Sequence, residues 1–135
     1  MLFRSRNDDA VVIFGRDGST GALSYGGMVQ DGVDDVDGLD GARAVAVSPD
    51  GRYVYVASQW DDAVAVFSRD GATGELTFLE ACKDADPGTD GLNIADGIAL
   101  SPDGGFVYVG GYGDDALVVL SHLFEVHLPV VMRNG

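Results

Sequence analysis

The sequence predicts an all-β chain made of four-stranded antiparallel sheets that repeat every 53 residues, and three observations predict it. The stretch VSPDGRYVYVAS at 47–58 returns as LSPDGGFVYVGG at 100–111. The run Asp8-Asp9-Ala10-Val11 returns as Asp61-Asp62-Ala63-Val64 and again as Asp114-Asp115-Ala116-Leu117. Short β-branched and aromatic runs alternate with Gly-, Asp- and Pro-containing turns, and no segment sustains a helical apolar period.

The elements of the middle unit follow in order, here named a to d. Residues 42–48 (ARAVAVS) form strand a. Ser-Pro-Asp-Gly then turns the chain: Pro49 presets φ, Asp50 bonds nearby backbone, and Gly51 takes a positive φ. Strand b is 53–58 (YVYVAS), and 59–62 turns into strand c at 63–68 (AVAVFS). A longer turn at 69–74 leads to strand d at 76–81. Strands b and c lack the strict polar alternation of a half-wetted sheet, so both of their faces should be covered.

Four-stranded antiparallel units of this length, repeated and covered on both faces, are the blades of a β-propeller. A β-sandwich would supply the strands but not the repeat. The expected layout is strands c and d of a first blade at 7–41, a complete blade at 42–94, strands a to c of a third at 95–120, and a divergent tail at 121–135. That is an incomplete ring of about two to three blades. By register, 129–132 fall in the strand-d slot; they pair there, or 123–128 form a short helical turn.

The repeat SPDGRYVYVAS, followed by DDAVAVFSRDGATGELTFLE, resembles the YVTN-type and lactonase-family propellers, which include 6-phosphogluconolactonase-like proteins of seven blades. Tyr55-Val56-Ala57-Ser58 and Tyr108-Val109-Gly110-Gly111 lie where that family writes its Tyr-Val-Thr-Asn signature. The resemblance implies the fold strongly and the activity weakly, since non-enzymatic surface proteins carry the same blade. Seven blades at this period need about 370 residues. The chain is therefore expected to be part of a longer propeller, or to close one by self-association, because bare blade faces and edges otherwise aggregate.

Composition narrows the partners. The chain of 135 residues carries 22 acidic and 8 basic side chains, for a formal charge of −14. Such a field repels phosphate backbones, so nucleic acid is excluded as a partner class, while cations and basic surfaces are favoured. No window is long and apolar enough for a helical membrane span, and MLFRSRNDDA lacks the apolar run of a signal peptide. The compartment is left open between extracellular or periplasmic and cytoplasmic. Cys82, the single cysteine, forms no intrachain disulfide and reads as a small core residue.

Strand direction puts the d–a and b–c loops on one face, with most of the acid, and places Arg16, Arg52 and Arg69 on the other. Asp31, Asp37 and Asp40 recur as Asp84, Asp90 and Asn93, an oxygen-rich set suited to Ca²⁺ although not an EF-hand. The competing reading is that Asp and Gly simply build the turns. Arg43 and Asp96 occupy equivalent positions at the top of strand a yet differ in charge, which makes them candidates to line a ligand channel. The blades contain no His; His122 and His127 lie in the tail, so a Ser-His-Asp triad has no base within the repeat. No catalytic residue of the lactonase family finds a motif-level match, and no cofactor-binding residue is assigned. Trp60-Asp61 sits in a turn rather than closing a strand, and Gly111-Tyr-Gly113 is a turn rather than a dinucleotide fingerprint. The leading functional expectation is a binding or scaffold module for a protein or a small-molecule, carbohydrate-type ligand; the alternative is a lactone hydrolase of the 6-phosphogluconolactonase type.

Overall fold

The computed structural model describes residues 2–5, 8–84, 90–123 and 126–133. Eleven described strands form three antiparallel sheets. The middle sheet runs β4 (Ala42–Val47), β5 (Tyr53–Ser58), β6 (Ala63–Arg69), β7 (Leu76–Lys83) in that order, which is strands a to d of one blade. The third sheet repeats it with β8 (Ala95–Leu100), β9 (Phe106–Gly111), β10 (Ala116–Leu123) and β11 (Val126–Arg133). The first has three strands, β1 (Leu2–Ser5), β2 (Ala10–Arg16) and β3 (Leu23–Gln30).

One element goes beyond the sequence-based expectation, and a second decides between its two alternatives. β1 pairs with β2 at Leu2 to Ser5, so the first sheet also holds a strand b. In the tail, β11 pairs with β10 along its whole length, Ala116 opposite Arg133 and Leu123 opposite Val126. The tail therefore fills the strand-d slot, and the helical alternative for 123–128 fails at its described residues, 123 and 126–128, which are strand. Pro129 stands opposite Leu120 on what is an edge strand, the one place where a missing ladder N–H is tolerated.

The middle blade shows why its strands read as continuous apolar runs. Tyr55, Ala57, Val64 and Val66 face the third sheet, where they pack with Val107, Val109, Val118 and Leu120. Val54, Val56, Ala65 and Phe67 alternate with them and face the first sheet, meeting Val11 and Ile13. The period-2 pleat thus buries one set on each neighbour, leaving no wet face. Leu39 and its repeat partner Leu92 each drop from a d–a loop into one of these two interfaces, and both are fully buried. Cys82 is buried in the interface with the third sheet, as expected of an inert core residue. Adjacent sheets approach most closely along β4 and β8, and along β1 and β4. The strand-a edges are therefore the inner side of the stack.

The turns repeat as faithfully as the strands. Ser48 Oγ donates to Asp50 Oδ1 at 2.5 Å and accepts from Tyr53 N at 3.0 Å; Ser101 Oγ does the same with Asp103 Oδ1 (2.6 Å) and Phe106 N (3.0 Å). Gly51 and Gly104 take φ of 76° in both copies, which is why the motif ends in Gly.

Candidate functional site

The acidic loops are first of all a fastening system. In the b–c turns Asp9 and Asp62 adopt left-handed φ of 52° and 51°, a conformation Asp tolerates. Each then reaches across to the next d–a loop: Asp9 Oδ1 accepts from Gly41 N at 2.9 Å, and Asp62 Oδ1 from Ile94 N at 2.7 Å. Asp61 Oδ2 accepts from Asp40 N at 3.0 Å and Asp114 Oδ2 from Asn93 N at 3.3 Å. Asp31 Oδ1 accepts from Leu39 N at 3.0 Å; its repeat partner Asp84 Oδ1 takes both Gly91 N (2.8 Å) and Leu92 N (2.7 Å). All of these contacts but Gly91 N to Asp84 recur at an offset of 53, Gly38 N donating to Asp37 Oδ1 instead, so turn-building explains much of the acid.

The same fastening crowds like charges. Carboxylate oxygens of Asp31, Asp37 and Asp61 lie within 4.8 Å of one another, and so do those of Asp84, Asp90 and Asp114, so each group could hold a metal ion. Of the six oxygen ligands read from the sequence, Asp31, Asp37, Asp84 and Asp90 are brought into these groups. Asp40 and Asn93 are not; they lend backbone N–H groups to Asp61 and Asp114, which complete the triads instead. The recurrence of Asp61 as Asp114 was the available signal for them. Desolvation, with Asp31 and Asp37 adding repulsion, raises the Asp61 carboxyl above its usual range. Desolvation together with Asp9 and Asp61 does the same for Asp40. Lys83 relieves the first triad: Nζ sits 2.9 and 3.1 Å from the two oxygens of Asp37, a contact that raises the lysine pKa.

Arg43 and Asp96 meet each other. Arg43 Nε donates to Asp96 Oδ1 across the gap between β4 and β8, with both side chains a little under half exposed. The ladder registers slip between Ala42 and Ala44 and between Ala95 and Gly97, so both residues sit in β-bulges at equivalent places on the inner strands. A bulge re-aims its side chain out of the pleat, and bulges of this kind gather beside binding sites. A cavity of about 380 Å³ opens next to Asp96, lined also by Gly97, Gly110, Gly111, Tyr112, Asp115 and Ala116. Three of its lining residues are glycines, and Tyr112, also in the lining, is 73% exposed.

The two motif look-alikes resolve as turns. Tyr112–Asp114 is a single 3₁₀ turn running straight into β10. Trp60 stands in the turn between β5 and β6 with its ring laid over Gly41, where an added Cβ would come within 2.8 Å of the indole.

A family profile described as "Lactonase, 7-bladed beta-propeller" matches residues 7–126. The chain belongs to this lactonase propeller family. A 6-phosphogluconolactonase of Pectobacterium carotovorum subsp. carotovorum is 29% identical over 86 residues, covering 64% of this chain and 25% of that protein. Among solved structures, a protein from Lactobacillus plantarum is 28% identical with a TM-score of 0.70, covering 93% of this chain and 35% of that one. The Pseudomonas aeruginosa periplasmic gluconolactonase shares the fold at 23% identity and a TM-score of 0.74, covering 98% of this chain and 38% of that one. The chain thus spans about a quarter to two fifths of the length of these proteins.

Proposed function

We propose that this chain is a binding module within a lactonase-type propeller, with its ligand taken at the inner edge formed by Arg43, Asp96 and the adjoining cavity. The observation that carries the reading is the pair of equivalent β-bulges that set a guanidinium beside a carboxylate at a pocket lined in part by glycine. A donor fork and an acceptor side by side, with an aromatic in the lining, suit a small polyhydroxylated, carbohydrate-type ligand. Titration with gluconolactone tests it by amide NMR: cross-peaks of Gly97, Gly110 and Tyr112 shift, and Asp96→Asn weakens the effect. Shifts scattered elsewhere, or none, overturn it.

The acidic d–a and b–c loops form a second surface in this proposal, suited to Ca²⁺ or to a basic partner. Support comes from the two carboxylate triads; their repulsion is what a cation would relieve. Binding at millimolar calcium raises the melting temperature by mass action, and an unchanged temperature removes the metal. Exposed apolar side chains on the two outer sheets, Tyr25 and Met28 on β3 and Phe106 and Leu117 on the third, support self-association as a way of covering them. A monodisperse monomer by solution mass would sink it.

Lactone hydrolysis is the second reading, favoured by the name of the Pectobacterium relative. Hydrolysis of 6-phosphogluconolactone above its spontaneous rate would place it first.

A further inference from the structure

The face opposite the acidic loops holds the other unusual charge arrangement of the molecule. A cavity of about 590 Å³ lies between the Ser-Pro-Asp-Gly turn and the turn from β6 to β7, lined by Asp50, Gly51, Arg52, Tyr53, Ser68, Arg69 and Gly71. Two of the chain's 8 basic residues line this one hollow. Among the described residues neither guanidinium is held in an ion pair.

The geometry points to an oxyanion site here, one that takes a phosphate monoester or inorganic phosphate. Three features build it. First, Arg69 is held in place: its Nη1 donates to Gly51 O at 3.2 Å and its backbone N to Arg52 O at 2.7 Å. One of five side-chain donors fixes the guanidinium, and the planar fork suits two oxygens of one anion. Second, the acid in the lining, Asp50, has other partners. Asp50 Oδ1 accepts from Ser48 Oγ at 2.5 Å and Arg52 N at 3.0 Å, so this carboxylate, although ionised, is turned to donors of its own turn and not to either guanidinium. Third, the two-arginine combination is not repeated in the third blade. Arg69 recurs as Arg16, but the position of Arg52 is Gly105 in the third blade. This blade is flanked by a sheet on each side, so the hollow does not lie on a bare outer face. Ser68 adds a hydroxyl at the same wall.

The test is titration at matched ionic strength with inorganic phosphate, glycerol phosphate and acetate, followed by NMR of the arginine Nε–H and Gly71 amide signals. Phosphate and its monoester shift the Arg52, Arg69 and Gly71 signals saturably, and acetate does so more weakly. A larger response to glycerol phosphate than to inorganic phosphate marks a monoester ligand; the reverse marks the free ion. Arg52→Gln is exposed, keeps the fold, and lowers affinity about tenfold, the loss of one charge-assisted contact. Arg69→Gln weakens binding as well, while Arg16→Gln, on the neighbouring blade, leaves it intact. Overturning results are no saturable shift with any of the three anions, an acetate response equal to phosphate, or an equal loss in Arg16→Gln.

Discussion

Leu92→Ala probes how the blades are held together. Leu92 leaves a d–a loop, is fully buried, and packs among Tyr55, Val107, Val109, Val118 and Leu120 between the second and third sheets. Truncation removes the branched end of the side chain, worth about 0.8 kcal/mol per buried carbon group, and leaves a cavity in a rigid interface. The expected loss is about 3–4 kcal/mol, near the middle of the range for buried leucines. Leu39→Ala, its repeat partner between the first and second sheets, should cost a similar amount. Leu79→Ala should cost well under 1 kcal/mol, since Leu79 is 47% exposed. Urea unfolding of the three variants, read by the shift in midpoint at constant slope, measures this directly. A loss below about 1 kcal/mol at Leu92, or a value equal to that at Leu79, would refute the inference that the loop leucines join blade to blade.

Three further outcomes are expected. Asp84→Ala strips the acceptor from Gly91 N and Leu92 N, so it should cost about 1–3 kcal/mol in the same unfolding assay, and Asp84→Asn, which keeps an acceptor oxygen, much less. Stability should pass through a maximum in mild acid. Asp40 and Asp61 have raised pKa values, so protonation as pH falls towards 3.8 relieves them; Asp17, Asp50, Asp70 and Asp103 have depressed values, held by turn N–H and hydroxyl donors, so their contribution is lost as pH falls below 3.8. A melting temperature falling monotonically from neutral pH would contradict this. Burial, with smaller contributions from Tyr53 and Asp50, pushes the Tyr55 phenol up to about 12 from 10.0. Its stabilising effect is therefore full below pH 10 and lost as pH rises through 12, and an ultraviolet phenolate titration should lose its latest step in Tyr55→Phe.

The strands that could be read from the sequence are those whose burial is two-sided. β5 and β6 are buried at nearly every position, and all but Ser58 of those positions hold Val, Ala, Tyr or Phe, so the pattern is dense and repeats cleanly. β1 escaped, and β11 was read only as one of two alternatives, because their pairing leaves no such pattern. LFRS is short and half polar, and the edge position of β11 tolerates a proline that would rule out a central strand. The acid clusters were half legible. Recurrence marked Asp31, Asp37, Asp84 and Asp90, but only the folded d–a loop shows that Asp61 and Asp114 arrive from the next blade while Asp40 and Asn93 contribute backbone. The bulges at Arg43 and Asp96 were invisible, because one extra residue in a ladder changes register without changing composition.

Those two residues also qualify an argument used on repeats: that a functional position is one that departs from the pattern. In a stack of identical blades, equivalent positions on neighbouring inner strands lie side by side. A repeat written faithfully would therefore set like charges together wherever that position is charged, and like charges at hydrogen-bonding distance repel. An ion pair between adjacent blades at one repeat position has to break the repeat, as Arg43 and Asp96 do. Departure alone thus has a purely architectural explanation, worth about 0–1 kcal/mol for a pair this exposed. What lifts this pair above that explanation is the rest of its setting: two bulges that turn the side chains out of the pleat, and a cavity that begins at Asp96. The distinction is measurable. If the pair serves only the interface, the double exchange Arg43→Asp with Asp96→Arg restores whatever each single change loses. If it also holds a ligand, the exchange restores stability and leaves gluconolactone binding lost, because the carboxylate is then carried by β4 and no longer stands at the cavity.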